Sequence, residues 1–427
     1  MNHRGPVRIE ERHAFDTVID ARSPAEFAID HLPGAINCPV LDDEERRIVG
    51  TLYKQQGAFE ARRVGGAFVA ANLARHLQGR FAEQPAVWRP LVYCWRGGMR
   101  SGSMVTWLRM VGWNAQQLSG GYKAWRRHVI TLIDALAPQL HLRVLCGPTG
   151  SAKTRVLQAL AEQRAQTLDL EGLARHRGSV LGAWPGVAQP SQTAFETALA
   201  DAIEAFDETQ PVYVEAESSR IGKISVPPAL IQRLRASPCV EIVVSPAARL
   251  DFLLRDYANL GDDPQLLAQQ LHHLRELHGG EVIARWQAWA RERNLAALFG
   301  ELMARHYDPL YARSQGTNLQ QWEQRQSVAA QALTPADIER LANAVMALPW
   351  NGLNAESPLP DSGKNLSRNW PSAHTGKPRA AIFCIAITAT TEPGFYGSFT
   401  QATSALHAPR ARSGELAPHR THQTPHH

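Results

Sequence analysis

The sequence has few cysteines, and their spacing fits neither a disulfide framework nor a zinc site. Its 427 residues contain five cysteines, an odd number without any Cys-x-x-Cys spacing. We therefore expect free thiols and a reducing compartment. The first 15 residues lack the apolar segment of a signal peptide, and no apolar run is long enough to cross a bilayer. We expect a cytoplasmic protein without a membrane partner.

The chain also lacks internal repeats and a strong excess of one charge sign. Lysine and arginine total 45 against 40 aspartates and glutamates, which gives a net charge of +5. An excess this small does not by itself indicate a nucleic-acid-binding protein. With 44% hydrophobic and 20% charged residues, the composition is typical of a globular protein. The length predicts about two or three domains.

The order of apolar stretches predicts an α/β fold made of two units and a tail. In residues 1–135, short strands such as FDTVID and LVY alternate with helices, which indicates a mostly parallel sheet. Residues 136–350 begin as a second α/β unit and are predicted to be almost entirely helical from 247 to about 345, where Thr334 caps the last helix. Residues 351–427 are polar and turn-rich, so we expect a tail of low order and assign it no function.

A single cysteine in a glycine- and arginine-rich loop is the first candidate for chemistry. In YCWRGGMRSG, Cys94 stands between a strand and a helix. The backbone amides of such a loop converge on one point, glycines let the backbone approach a ligand, and arginines supply fixed positive charge. We therefore predict that Cys94 is a catalytic nucleophile. The predicted oxyanion cradle comprises Arg96, Gly97, Gly98, Met99, Arg100 and Ser101.

The segments around this loop resemble the rhodanese domain in order and spacing. The matching strings are IDARSPAEF, DHLPGAINCP, CWRGGMRS and SGGYKAWRR. The resemblance implies that Asp20 and Arg22 brace the loop, with a surface ion pair as the alternative, and that Cys94 carries a persulfide. Five residues separate Cys94 from Arg100, as in the related cell-cycle dual-specificity phosphatases, so a phosphatase stays open. Cys38 either resolves a persulfide on Cys94 or packs in the core.

A second glycine-rich loop, GPTGSAKT, nearly fits the phosphate-binding pattern G-x-x-x-x-G-K-[ST]. In that pattern backbone amides and a lysine surround a diphosphate, and a hydroxyl is available to Mg²⁺. Ala152 replaces the glycine before the lysine, which weakens the match without removing it, and binding survives if this position keeps a negative φ. The strand LRVLCG before the loop and the amphipathic helix after it favour a P-loop NTPase-like domain. The predicted phosphate-binding residues are Gly147, Gly150, Ser151, Lys153 and Thr154.

Acidic residues that could complete the phosphate loop lie in two further segments. They are Asp169, Glu171, Glu215 and Glu217. None follows the usual pattern of four apolar residues and an aspartate, so they either hold Mg²⁺ or pair with Arg175, Arg177 or Arg220. We assign no metal ligand from the sequence. A P-loop without a clear water-activating residue could bind a diphosphate group without hydrolysing ATP.

Several strings taken together resemble the tRNA 2-selenouridine synthase family over about residues 10–345. They are VGTLYKQQG, CWRGGMRSG, GGYKAWRR, DLEGLARHRGSVLG and VYVEAESSRIG. The resemblance implies an enzyme that replaces sulfur by selenium in the wobble 2-thiouridine of tRNA, with selenophosphate as the donor. It also implies that a geranyl group from geranyl diphosphate is placed on that sulfur first. Cys94 would then accept selenium as a selenylsulfide, and the loop around Lys153 would hold the diphosphate.

Partners and co-substrates follow from this resemblance. They are tRNA, selenophosphate, geranyl diphosphate and an enzyme that supplies selenophosphate, with no permanently bound cofactor and with Mg²⁺ as an optional ligand. We also hypothesise that Arg175, Arg177 and Arg220 hold the tRNA backbone. Two other functions stay open. One is a persulfide sulfurtransferase or phosphatase fused to a small-molecule kinase-like domain, and the other is a non-enzymatic anion-binding module.

Overall fold

A computed structural model describes residues 5–179, 181–184, 186–256 and 262–349. The tail expected at 351–427 lies outside these residues. Within the described ranges, no helix combines the length and the apolar character that crossing a membrane requires.

The first half of the described chain is built on a four-stranded parallel sheet in the order β2-β1-β3-β4. Its strands are β1 (Thr17–Asp20), β2 (Ile36–Asn37), β3 (Pro90–Tyr93) and β4 (Gln116–Gln117). Its helices are α1 (Pro24–Ile29), α2 (Asp43–Gln55), α3 (Ala58–Gln78), α4 (Met99–Val111) and α5 (Gly121–Leu136). A short 3₁₀ helix at Ile9–Ala14 precedes the sheet, and another at Ala137–Gln139 follows α5.

The second half contains a five-stranded parallel sheet with the order β11-β10-β5-β7-β6. Its strands are β5 (Leu142–Cys146), β6 (Gln166–Leu168), β7 (Val212–Glu215), β10 (Cys239–Val244) and β11 (Gln326–Ala330). A small antiparallel pair, β8 (Arg220–Ile221) and β9 (Ile224–Ser225), stands apart from it. β5 is central, so the loop that follows it lies between the ends of β7 and β10.

Helices cover this second sheet and then form a separate helical portion. The helices around the sheet are α6 (Lys153–Glu162), α7 (Leu170–Ala174), α8 (Gln192–Glu204) and α9 (Pro228–Arg235). The later helices are α10 (Pro246–Asp256), α11 (Pro264–Leu271), α12 (Arg275–His278), α13 (Gly280–Arg291), α14 (Leu295–Leu302), α15 (Asp308–Asn318) and α16 (Pro335–Ala347). 3₁₀ turns occupy His272–Leu274 and Trp322–Gln324, and a π-helical turn spans Met303–Tyr307.

The predicted α/β class and the order of its elements are confirmed, with two corrections. The region from 247 to 345 is not entirely helical, because β11 lies inside it and pairs in parallel with β10, Val328 facing Ile242. QSVAA is too short and too poor in large apolar residues to stand out between helices. The strand predicted over QTLDLEG ends at Leu168, because Asp169 caps α7 by accepting a 2.7 Å hydrogen bond from the Gly172 amide.

One hydrophobic cluster runs through both halves of the described chain. Trp125, Val129 and Ile133 of α5 pack in the same cluster as Phe195 and Leu199 of α8. The boundary that we predicted between residues 135 and 136 falls in the last turn of α5. Because α5 belongs to the half that contains the Cys94 loop and α8 belongs to the other half, this shared core fixes the position of one half against the other.

Candidate functional site

The thiol of Cys94 lies inside the loop between β3 and α4 and is almost fully buried. The amide of Gly98 donates a 3.3 Å hydrogen bond to its Sγ, and the hydroxyl of Ser101 donates a second one of 3.1 Å. Gln117, at the end of β4, donates a 2.9 Å hydrogen bond to Ser101 Oγ. Two donors in this arrangement would stabilise negative charge on the sulfur. Gln117 was not predicted from the sequence, where its only signal was the strand QQ beside the SGG turn.

Asp20 and Arg22 form a buried ion pair at the end of β1, not the surface pair considered as the alternative. Arg22 Nη2 lies 2.6 Å from Asp20 Oδ2, and both side chains are almost fully buried. The guanidinium carbon of Arg22 lies 4.0 Å from the ring centroid of Tyr122. The Tyr122 amide in turn donates a 2.8 Å hydrogen bond to the carbonyl of Cys94. The pair therefore supports the Cys94 loop through Tyr122.

Two glycines let the Cys94 loop and the SGG turn touch backbone to backbone. Gly97 has φ +68° and Gly121 has φ +55°, both in the left-handed region. A Cβ on Gly121 would lie 2.2 Å from the Cys94 carbonyl oxygen, and one on Gly97 would lie 2.8 Å from the Leu118 carbonyl oxygen. Side chains at either position would push the two loops apart, which explains why both loops are rich in glycine.

The other residues of the predicted cradle do not all face the thiol. Arg100 is held by Glu26, with Nη1 2.5 Å from Oε2 and Nη2 3.2 Å from Oε1. Arg96 and Met99 are exposed. Cys38 is fully buried in the apolar core, and burial raises the pKa of its thiol to about 11. A packing role fits Cys38 better than attack on a persulfide.

The phosphate loop follows β5 and leads into α6, as predicted. Gly147 and Gly150 have φ of +151° and +86°, and a Cβ on Gly150 would lie 3.0 Å from Leu253 Cγ. Ser151 is fully buried, and its Oγ has no hydrogen-bond partner among the described residues. Lys153 Nζ donates a 2.8 Å hydrogen bond to the carbonyl of Gly147, so the amine is folded onto its own loop.

Ala152 does not keep the negative φ under which the sequence indicated that an alanine would be tolerated. Ala152 has φ +60° and ψ +26°, a left-handed conformation at the N-cap of α6. The tight turn into the helix imposes this conformation, which costs a residue with a Cβ about 1–2 kcal/mol. Its methyl group is buried in the cluster that contains Leu145 and Val156. The methyl group therefore belongs to the core of the second half.

Three of the four predicted acidic residues come together beside the phosphate loop. Glu171, Glu215 and Glu217 each offer a carboxylate oxygen, and these oxygens lie within 4.8 Å of one another. Burial raises the pKa of all three, and neighbouring carboxylate charges raise those of Glu171 and Glu217 further. Glu215 Oε1 has no hydrogen-bond partner among the described residues. Asp169, in contrast, is the cap of α7.

The arginines considered as partners of these glutamates lie elsewhere. Arg175 and Arg220 are exposed, and Arg177 lies 3.9 Å from Asp256. Within the described ranges, no ion pair of 4.0 Å or less joins the glutamate cluster to any basic side chain. The positive charge of Lys153 acts on all three carboxyls and opposes the rise in their pKa.

Arg249 supports the phosphate loop from α10 and was not predicted. It donates a 2.9 Å hydrogen bond to the Thr149 carbonyl and binds both carboxylate oxygens of Asp308 at 2.8 and 2.7 Å. The helical portion also forms an apolar cavity against the loop. Its lining includes Thr149, Leu181, Leu253, Phe299, Leu302 and Met303.

Comparisons with known proteins agree with this two-part architecture. Residues 8–128 match the rhodanese-like domain, and residues 140–276 match the AAA domain of tRNA 2-selenouridine synthase. The tRNA 2-selenouridine synthase of Shewanella piezotolerans is 33% identical over 326 residues, which cover 69% of this chain and 87% of that protein. The chain belongs to the tRNA 2-selenouridine synthase family.

Two further members of the family match over a shorter stretch. The tRNA 2-selenouridine synthase of Nitrosomonas europaea is 39% identical over 246 residues, 56% of this chain and 63% of that protein. The one of Alcanivorax borkumensis is 40% identical over 246 residues, 56% of this chain and 66% of that protein. The matched part thus spans slightly less than two thirds of these two relatives.

Proposed function

We propose that this member of the tRNA 2-selenouridine synthase family is a cytoplasmic tRNA-modifying transferase. It replaces the sulfur of wobble 2-thiouridine by selenium, with selenophosphate as the donor and S-geranyl-2-thiouridine as the intermediate. The observation that carries the proposal is that one compact unit contains both the Cys94 thiol, which accepts two hydrogen bonds, and a phosphate loop after β5. Each loop suits one of the two anionic co-substrates.

The phosphate loop is assigned to the diphosphate of geranyl diphosphate. Lys153 would exchange the Gly147 carbonyl for a phosphate oxygen, and the buried hydroxyl of Ser151 is a free donor beside it. A cavity of about 30 Å³ lined by Leu253, Phe299 and Met303 starts at Thr149 of the same loop. Because it has room for only about two water molecules, an isoprenoid chain attached to the diphosphate would have to widen it.

Mg²⁺ fits the cluster of Glu171, Glu215 and Glu217. Oxygen donors are the ligands that this ion prefers, and the cluster includes the orphaned Oε1 of Glu215. A bound ion would neutralise the like charges and polarise a diphosphate leaving group. Lys153 lies near enough for its charge to act on the same carboxyls and would share the task of holding the diphosphate.

The selenium exchange balances without an oxidant when selenium acts as the nucleophile. The selenium of selenophosphate attacks C2 of the S-geranylated uridine and forms the C2–Se bond. The C2–S bond then breaks, geranylthiol leaves with a proton, and water cleaves the Se–P bond to release phosphate. A selenylsulfide on Cys94 would instead require oxidation of selenium that is already fully reduced. We therefore assign Cys94 to contact with the donor and with the departing sulfur.

The test is mass spectrometry of wobble nucleosides made by the full-length protein in vitro. Cys94→Ala is expected to abolish selenouridine and to leave S-geranyl-2-thiouridine, whereas Lys153→Ala is expected to lower geranylation. Selenouridine formed at the wild-type rate by Cys94→Ala would refute the role of Cys94. A phosphatase or sulfurtransferase fused to a kinase-like domain would instead turn over aryl phosphate or thiosulfate without tRNA. The ion pair of Arg100 with Glu26 disfavours the phosphatase, which needs a free arginine for phosphate.

A further inference from the structure

A cavity beside the Cys94 loop combines an exposed aromatic ring with positive charge. Its volume is about 450 Å³, and its lining includes Trp95, Tyr122, Lys123, Arg127, Ile130 and Thr193. Trp95 directly follows Cys94, and Thr193 lies on α8 of the second half. The cavity therefore lies where the two halves meet, beside the backbone of the Cys94 loop.

The aromatic ring is the end of a stack that begins in the core. The guanidinium of Arg22 lies on Tyr122 at 4.0 Å, and the rings of Tyr122 and Trp95 are stacked with centroids 5.3 Å apart and planes at 29°. Tyr122 is buried, whereas Trp95 is 39% exposed. The Trp95 carbonyl also accepts a 3.1 Å hydrogen bond from the amide of Lys123. The indole is thus held in a fixed orientation with part of its surface open to the cavity.

Two cations on α5 stand beside this ring without a neutralising partner. Lys123 and Arg127 form no ion pair of 4.0 Å or less within the described ranges. The other charges of the lining are already engaged: Arg126 binds Glu196, and Glu26 binds Arg100. An aromatic platform between unneutralised cations is the arrangement by which proteins hold an unstacked base and its adjacent phosphates.

We propose that Trp95 stacks on the base that is to be modified, after it has left the stack of a single-stranded RNA loop, and that Lys123 and Arg127 hold the phosphates beside it. This inference rests on the proposed function, because it takes RNA as the substrate. Because Trp95 is the neighbour of Cys94 in the chain, a base stacked there lies beside the loop that holds the thiol. Flipping the base makes its C2 position accessible, which a stacked base would not allow.

The test measures binding of two anticodon stem-loop RNAs to the full-length protein. One RNA carries 2-thiouridine at the wobble position, and the other has an abasic residue there. Trp95→Ala is expected to weaken binding of the first RNA by about 10- to 100-fold and to leave binding of the abasic RNA unchanged. Trp95→Phe should restore most of the affinity. The matched control is Trp107→Ala on α4, a tryptophan that is 41% exposed and outside the cavity, which should change neither affinity.

The cations have a different expected signature. The double variant Lys123→Gln, Arg127→Gln should bind both RNAs more weakly and by the same factor. The slope of log affinity against log salt concentration should fall by about 0.7 for each removed charge. Equal losses for the intact and the abasic RNA in Trp95→Ala would overturn the stacking role, and so would wild-type affinity in that variant. If the wild-type protein bound neither RNA, the proposed function itself would fail, and this site with it.

Discussion

The hydroxyl of Tyr122 donates a 2.7 Å hydrogen bond to Oδ2 of Asp30, and Thr197 of the second half donates to the same oxygen at 3.1 Å. Asp30 is almost fully buried, and Arg126 lies 3.7 Å from it. One carboxylate thus links α5, which contains Tyr122, to α8 in the second half. The halves are joined by polar contacts as well as by their common apolar core.

We expect Asp30→Ala to lower the free energy of unfolding by about 3 kcal/mol, because the buried Tyr122, Thr197 and Arg126 would lose a charged partner. Tyr122→Phe removes a single hydrogen bond to a charged group and should cost about 1–2 kcal/mol. Urea unfolding of the two variants checks the difference. Equal costs would mean that the carboxylate does not organise the contact.

Gly121→Ala tests the close approach of the two loops. A Cβ there would meet the Cys94 carbonyl at 2.2 Å, so we expect loss of selenouridine formation and a stability loss of more than about 1 kcal/mol. Gly66→Ala is the control, because it lies within α3 and a Cβ there meets nothing within 4 Å. The free energy of unfolding of that variant should increase by about 0.5–1 kcal/mol, and its activity should be unchanged. A fully active Gly121→Ala protein would contradict this packing.

The glutamate cluster predicts an unusual pH dependence in a chelating buffer. The pKa is raised from 4.5 to about 8 for Glu217 and to about 10 for Glu171. The folded protein therefore binds more protons than the unfolded chain above about pH 4.5, and stability should fall as pH rises towards these values. The slope is at most about 1.4 kcal/mol per pH unit for each extra proton.

Thermal unfolding from about pH 5 to about pH 9 measures this slope. Glu217→Gln should reduce it, and Mg²⁺ should raise the melting temperature most at the alkaline end, where it competes with fewer protons. Stability that increased with pH in the chelating buffer would show that the three carboxyls are not crowded as described.

Arg249→Lys tests the support of the phosphate loop. Lysine cannot bind both oxygens of Asp308 and the Thr149 carbonyl together, so we expect about tenfold weaker binding of pyrophosphate by calorimetry. Arg285→Lys is the matched control, because Arg285 binds both oxygens of Glu301 at 3.2 and 2.5 Å far from the loop. Wild-type pyrophosphate affinity in Arg249→Lys would exclude a supporting role.

Local patterns in the sequence were sufficient to predict both loops. Glycines, a lysine and a cysteine at strand ends mark positions where the backbone must turn tightly or approach a ligand. These features depend only on residues that are close together in the sequence. The same holds for the cap at Thr334, whose hydroxyl accepts from the Asp337 amide. The order of strands and helices could be predicted from the periodicity of apolar residues along the chain.

Contacts between distant segments could not be predicted in this way. Gln117 of β4 donates a hydrogen bond to Ser101 of α4. Arg249 binds Asp308, which lies 59 positions away in the chain. β11 owes its conformation to pairing with β10. The left-handed Ala152 is fixed by the turn around it, which overrides the preference of the residue. Each depends on tertiary packing that a single sequence does not display.

The fold of Lys153 onto the Gly147 carbonyl has a consequence for discrimination between anions. A protein that handles a polyanion must keep its diphosphate amine from capturing backbone phosphates at random. The Lys153 amine already donates a 2.8 Å hydrogen bond to the Gly147 carbonyl. An incoming anion must therefore displace this carbonyl before it can pair with the positive charge of the lysine. A single phosphodiester offers little in exchange, whereas a diphosphate that also fills the amide-lined loop offers several contacts at once. If the loop binds the proposed diphosphate, it would therefore select its ligand by the number of phosphate oxygens that bind at the same time.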